Sequence, residues 1–274
     1  MHDKIVLITG ATDGIGKQTA IKLVEMGANV IVHGRNNSRG ETTVDDIKDK
    51  TGKAVSFVQA DLSSLSQVAR LAEELKKAHD RIDVLINNAG VFQREQVFSD
   101  DGYEMTFAVN HLAHFSLSLQ LLPLLKQSDQ GRIVTVSSMA HRNSPKTDFS
   151  DIFDINAYMD YSAYSLSKLA NILFSNQLAS KLSSTTITSN SLHPGVITTK
   201  LLHEGFGISG NAVEQGCMTS VYLASDGSLS STSGKYFSDS RETEPSPYAF
   251  DPELRKNLWN LSEELTGVKF DDFI

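Results

Sequence analysis

At 274 residues, 40% of them hydrophobic, the chain is long enough to bury a sizeable core. Its 33 acidic and 25 basic residues leave a formal net charge of -8, which argues against a nucleic-acid partner, whose phosphates call for a basic face. A single cysteine, Cys217, excludes an intramolecular disulfide and fits a reducing, cytoplasmic setting.

Only Met1, His2 and Asp3 precede a strand-like run, so no secretion signal is expected. That run, residues 4–9 (KIVLIT), reads as a parallel strand buried on both faces. It leads into TGATDGIG at 9–16 and then a helical pattern over 17–26. A strand, a glycine-rich turn and a helix N-terminus make an anion site. Gly10, Gly14 and Gly16 let the backbone approach a pyrophosphate that the free amides of the helix stabilise. Tight turning alone also explains three glycines, and their spacing differs from G-x-G-x-x-G.

A second strand, 28–34, ends in His33-Gly34-Arg35-Asn36. A carboxylate is expected there when the adenosine ribose carries a free 2′-hydroxyl. The sequence offers a guanidinium instead, which can bind a 2′-phosphate through two parallel hydrogen bonds, so NADP is favoured over NAD. Helix 39–51, strand 54–60, helix 65–79 and strand 82–87 continue the alternation, predicting right-handed crossovers and a parallel sheet. Asp61 follows one strand end, either as an acceptor for an adenine amino group or as a residue of the helix N-cap region. Asn87-Asn88-Ala89-Gly90 follows another, small enough for a flat ring or ribose to lie close.

Residues 101–126 read as one long helix with Asn110 in an apolar neighbourhood, where a buried amide needs partners. The apolar part, 115–125, is too short for a membrane span and is interrupted by Ser116, Ser118, Gln120 and Pro123, so no span is expected. Strand 132–138 ends in Ser137 and Ser138, which alternation places on opposite sides. An irregular stretch, 141–161, leads to a helix containing YSLSK at 164–168. Tyr164 and Lys168 fall on one helical face, one turn apart. A phenol titrates near 10, and a cation beside it favours the phenolate, so the pair suits acid/base work between an alcohol and a carbonyl. Tyr158 and Tyr161 have serines, not lysines, at the equivalent offset.

Strand 186–192 and the turn 193–199 follow. Residues 200–211 combine Gly205, Gly207 and Gly210 with Leu201, Leu202, Phe206 and Ile208, either a lid over an apolar pocket or an ordinary loop. Helix 212–224, strand 234–237 and tail helix 252–266 complete the chain, with no linker or repeat and one expected domain, 1–274, whose C-terminal tail is 239–274.

The motif set resembles the short-chain dehydrogenase/reductase family: TGATDGIG, Asp61-Leu62, NNAG at 87–90, Asn110, Ser138, YSLSK, and Pro194-Gly195 with Thr199. The resemblance implies a Rossmann-type, doubly wound parallel sheet with helices on both faces. It also implies a catalytic set of Asn110, Ser138, Tyr164 and Lys168. Tyr164 would be the acid/base, with Lys168 on the nicotinamide ribose and lowering the phenol pKa. Ser138 would hold the substrate oxygen, and Asn110 would support a water-linked proton relay. The candidate cofactor contacts are Gly10, Thr12, Asp13, Gly14, Ile15, Gly16, Arg35, Asn36, Asp61, Leu62, Asn87, Ala89, Gly90, Tyr164, Lys168, Pro194, Gly195, Ile197 and Thr199. No metal is implied.

Finer features, NHLAHF at 110–115, SSMAH at 137–141, SLHPG at 191–195 and the tail, resemble the retinol dehydrogenase branch. That branch implies NADP(H)-dependent interconversion of lipophilic aldehydes or ketones and their alcohols. Many relatives form homo-oligomers through the helices carrying Asn110 and Tyr164, and the extended tail could cover those surfaces, so the oligomeric state stays open. A non-catalytic NADPH-binding sensor or assembly subunit, or a carbon–carbon double-bond reductase, is the alternative on the same fold.

Overall fold

The computed structural model describes residues 1–144, 149 and 158–274. Strand β1 (Ile5–Ile8) lies inside an eight-stranded sheet between β2 (Asn29–Gly34) and β4 (Val84–Asn87), with Val6 opposite Val30 on one side and Val84 on the other. The order is β3-β2-β1-β4-β5-β6-β7-β8, adding β3 (Ser56–Gln59), β5 (Arg132–Val136), β6 (Thr188–His193), β7 (Tyr236–Ser238) and β8 (Arg241–Glu242). All pairings are parallel except β7 with β8. The order reverses at β1 and β4, and the crevice that opens there at the strands' carboxyl ends is where a doubly wound sheet binds its ligand.

Both faces are covered because successive side chains alternate. Val6, Ile8, Val30, Val32, Val84, Ile86, Val134 and Val136 form one core with α1 (Gly14–Glu25) and α10 (Met218–Ser225). Leu7, Ile31, Leu85 and Ile133 face the other way, onto α3 (Leu65–Ala78), α5 (Ala113–Gln120) and α7 (Asp160–Lys181). In α3 the buried residues are Val68, Leu71, Ala72 and Leu75, one stripe at helical spacing. Helix α2 (Asn37–Thr51) lies so close to β3 that a Cβ on Gly40 would sit 2.2 Å from the Phe57 ring. The tail helix α11 (Pro252–Thr266) has the bounds expected from sequence and packs on α5 and α7 through Trp259, whose ring is 5.0 Å from Phe115.

The long helix expected over 101–126 is broken. It begins at α4 (Met105–Phe107), where the Glu104 carboxylate accepts from the amides of Thr106 and Phe107, while Asp101 instead accepts from Leu65 N. A π turn over Ala108–Leu112 carries Asn110, and Pro123 starts a separate short helix, α6 (Leu122–Leu125). A second long helix, expected over 212–224, divides at Cys217 into α9 (Val213–Gly216) and α10. The hairpin β7–β8 went unread from sequence because its turn uses Asp239 and Ser240 at φ +50 and +57 rather than glycine.

Candidate active site

The first turn is shaped by contacts that only glycine permits. Gly10 has φ +64, and a Cβ there would come within 2.8 Å of Ala89 Cα. A Cβ on Gly16 would meet Asn88 Nδ2 and Gly10 O at 2.5 Å. Asp13 caps α1 by accepting from Gly14 N at 2.7 Å, and the next amides, Ile15 and Gly16, belong to the first turn, where no intrahelical acceptor exists. A tight glycine turn running into a helix N-terminus whose first amides have no intrahelical acceptor fits the pyrophosphate of a dinucleotide.

At the adenosine end, Arg35 and Asn36 are exposed at the tip of β2. Asn36 Oδ1 accepts from Arg39 N and caps α2. Thr12 packs on Gly34, its Cγ2 standing where a Cβ would be 2.5 Å away. One oxygen of Asp61 is occupied by Ser63, accepting from its amide and its hydroxyl, and Leu62 is in the core. Asn87 is fully buried at the end of β4, and its Nδ2 donates to Ser118 Oγ at 2.9 Å.

The expected acid/base pair comes next. Tyr164 and Lys168 are both buried in α7, 6% and 3% exposed, with the lysine Nζ 5.6 Å from the phenol ring centroid. Nζ donates to Val136 O at 3.3 Å, and no carboxylate pairs with it among the described residues. Gly90 leaves the space beside it: an added Cβ would be 3.4 Å from Nζ and 3.5 Å from Asn110 Oδ1. The Asn110 amide is fully engaged, accepting from Val91 N and donating to Val91 O and Ser167 Oγ. Ser138 hydrogen-bonds the Tyr164 phenol, while Ser137 turns the other way and donates to Lys168 O, as strand alternation requires.

Burial pushes the Tyr164 phenol up to about 12, with the Ser138 hydrogen bond opposing it. Burial also lowers Lys168 to about 8.

On the far side, Gly195 (φ +94) turns the chain after β6. Ile197 is buried against Gly216, and Thr199 caps α8 (Lys200–Phe206) and lies 3.6 Å from where a Gly14 Cβ would be. A cavity of about 260 Å³ is bordered by Pro194, Gly195, Ile197, Thr219 and Ser240. Beside the phenol, Phe92 has its ring 5.5 Å from that of Tyr164, and Gly205 of α8 closes on it, since a Cβ there would be 3.0 Å from the phenylalanine. Ile208 is 51% exposed, and the Phe206 side chain lies outside the described residues, as do 145–148 and 150–157 of the irregular stretch.

Sequence reading passed over Thr9, His33 and His114. His33 Nδ1 accepts from Gly10 N while Nε2 donates to Ala60 O, joining the glycine turn to the end of β3. Thr9 Oγ1 accepts from the amides of Asn88 and Ala89 and contacts His114 Nε2 at 2.9 Å, and the other ring nitrogen donates to Asn110 O. Both imidazoles are pushed down by burial, to about 4 and about 3, and are neutral. The available signal was a histidine inside an apolar run, which by itself says only that partners are needed.

A dinucleotide cradle at the sheet's switch point, with a buried Tyr/Lys pair beside it, defines an oxidoreductase site. Residues 4–206 match the family model described as short chain dehydrogenase, and the chain belongs to that family. It is 39% identical to human (Homo sapiens) Retinol dehydrogenase 14 over 98% of this chain and 88% of the relative. It is 37% identical to human Retinol dehydrogenase 12, again over 98% and 88%. An uncharacterised protein from Mycobacterium Paratuberculosis superposes with TM-score 0.83 at 32% identity, covering 98% of this chain and 95% of that one. A short chain dehydrogenase from Escherichia coli CFT073, solved with NADPH, superposes with TM-score 0.74 at 25% identity over 88% and 98%.

Proposed function

We propose that the protein is an NADP(H)-dependent oxidoreductase that interconverts the carbonyl and alcohol forms of a lipophilic small molecule, with Tyr164 as acid/base. The observation that carries this reading is the buried lysine beneath a phenol that is hydrogen-bonded to Ser138. When bound, a reduced nicotinamide would be the hydride source for the carbonyl carbon. Ser138 and Tyr164 hold the carbonyl oxygen by hydrogen bonds, and the Tyr164 hydroxyl gives its proton to that oxygen. A phenol at about 12 stays protonated at neutral pH, the form that serves reduction. An alkoxide is far more basic than a phenolate, so the transfer is downhill. The Lys168 ammonium then lies beside the new phenolate and stabilises it. Asn110, with its amide fully bonded, holds the Val91 backbone and the adjacent Gly90 space in which Lys168 sits.

Arg35, exposed at the tip of β2 with no acid at that position, supports a 2′-phosphate and so NADP. A named relative's retinol and a neighbour's NADPH support the same class of substrate and cofactor. Phe92 and α8 form the apolar lid. No described helix is long and apolar enough to cross a membrane; a cytoplasmic location belongs to the reading and draws its support from the lone, buried Cys217. Tyr164→Phe tests the assignment: turnover of medium-chain aldehydes should be lost while NADPH still binds, and unaltered turnover would remove Tyr164 from the mechanism.

A further inference from the structure

His141 is completely buried three residues beyond Ser138, in the tight helical turn Met139–Asn143. Its Nδ1 lies 2.6 Å from the Ser138 carbonyl oxygen and its Nε2 lies 3.0 Å from the backbone nitrogen of Ser246. A carbonyl can only accept and a peptide N–H can only donate, so Nδ1 carries the proton and Nε2 the lone pair. Ser246 stands between Pro245 and Pro247, neither of which has an N–H, so its amide is the one backbone donor of that triplet. The ring is also held edge-on to Tyr236, with centroids 5.0 Å apart, and the neighbouring Arg142 donates to Glu244 O. Two successive residues after Ser138 thus grip 244–246, in the tail beyond the residues that match the family model. Ser138 Oγ accepts from Ala140 N at 3.2 Å in the same turn, so the direction of its hydroxyl depends on how that turn is held.

We propose that His141 is a positioning residue for Ser138, its imidazole fixed by the Ser246 amide of the tail, so that the C-terminal segment is part of what aims the serine at the phenol and the substrate oxygen. The inference rests on the reading of Ser138 as the group that holds that oxygen. A phenylalanine of similar size would fill the space against Tyr236 but would remove the short ring N–H bond to Ser138 O, leaving that carbonyl only the longer bond from the backbone amide of residue 141 at 3.2 Å, and would take the acceptor from the Ser246 amide. An asparagine places an amide donor near the position of Nδ1 and restores it. Burial keeps the ring neutral, at about 4, so the Nδ1–H tautomer persists through the neutral range.

The test measures NADPH-driven reduction of medium-chain linear aldehydes by H141F, H141N, S246P and Y164F. Proline suits the Ser246 backbone, whose φ is -56, and removes its N–H. H141F is expected to lose about 10²-fold in kcat, the scale of an ångström-sized misplacement, with KM for NADPH unchanged. H141N should return to within about threefold of the native kcat, and S246P should fall between the two. Nitrogen NMR of the native ring should report the Nδ1–H form. Native kcat in H141F, equal losses in H141F and H141N, or an Nε2–H ring would overturn the inference. Those results with an inactive Y164F leave the reading of the site standing, whereas full turnover in Y164F overturns that reading itself.

Discussion

Replacing Lys168 with methionine should stabilise the protein while abolishing its turnover. The ammonium is 3% exposed, has no carboxylate partner among the described residues, and makes one long hydrogen bond to Val136 O. Val136 O keeps a second donor, Asn171 Nδ2 at 3.1 Å, so the change orphans no acceptor. Burial takes the lysine from 10.5 to about 8; at 1.36 kcal/mol per pKa unit this is a cost of about 3 kcal/mol when the group is charged in both states. The sign follows from proton counting. Below pH 8 the native state carries the whole cost, and between about 8 and 10.5 the unfolded chain holds the proton more often than the native one, so the cost fades. Urea unfolding of the variant and the native chain, in parallel from pH 7 to pH 10, isolates this group, since every other titration is common to both. The variant should be more stable by about 2–3 kcal/mol at pH 7, a gap that closes toward pH 10. A variant no more stable at pH 7, or a gap independent of pH, would refute the idea that an uncompensated buried cation is held here for chemistry.

Arg35→Ala should weaken NADPH far more than NADH in a binding titration; equal losses would remove the 2′-phosphate from the argument. Acid should unfold the protein well above the carboxylate range. His33, His111, His114 and His141 are held neutral by burial, at about 3 to 4, so the stability they confer is complete above 6.5 and is lost as pH falls toward those values. At up to about 3 kcal/mol each, their combined loss of about 12 kcal/mol is comparable to a typical total stability of about 5–15 kcal/mol, and the urea midpoint should drop steeply between pH 6 and pH 4. Asp83, buried beneath β1, accepts from Ile5 N, Lys4, Arg81 and Ser128. Burial raises its carboxyl, but these four bonds together outweigh that and hold it below its usual value. Asp83→Ala should cost about 2–3 kcal/mol, measurable by urea unfolding at pH 7.

The doubly wound sheet was legible because its signals are local. Runs such as IVLI and RIVTV are apolar on both faces only where helices cover both, and Gly10 and Gly16 mark places where a chain must touch itself. The site residues were legible for a related reason: Tyr164 and Lys168 are one helical turn apart, so sequence spacing alone puts them on one face. What lay outside reach depends on groups far apart in the chain. The Tyr164 pKa rises because surrounding elements exclude water, and no spacing reports that exclusion. The π turn that carries Asn110 lies where its amide meets Val91 and Ser167, partners far away in sequence. The closing of Phe92 between the phenol and Gly205, like the bond from His141 to Ser246, exists only once distant segments have been brought together. Local chemistry wrote the glycine turn and the spacing of Tyr164 and Lys168; tertiary packing decided their dielectric and their orientation.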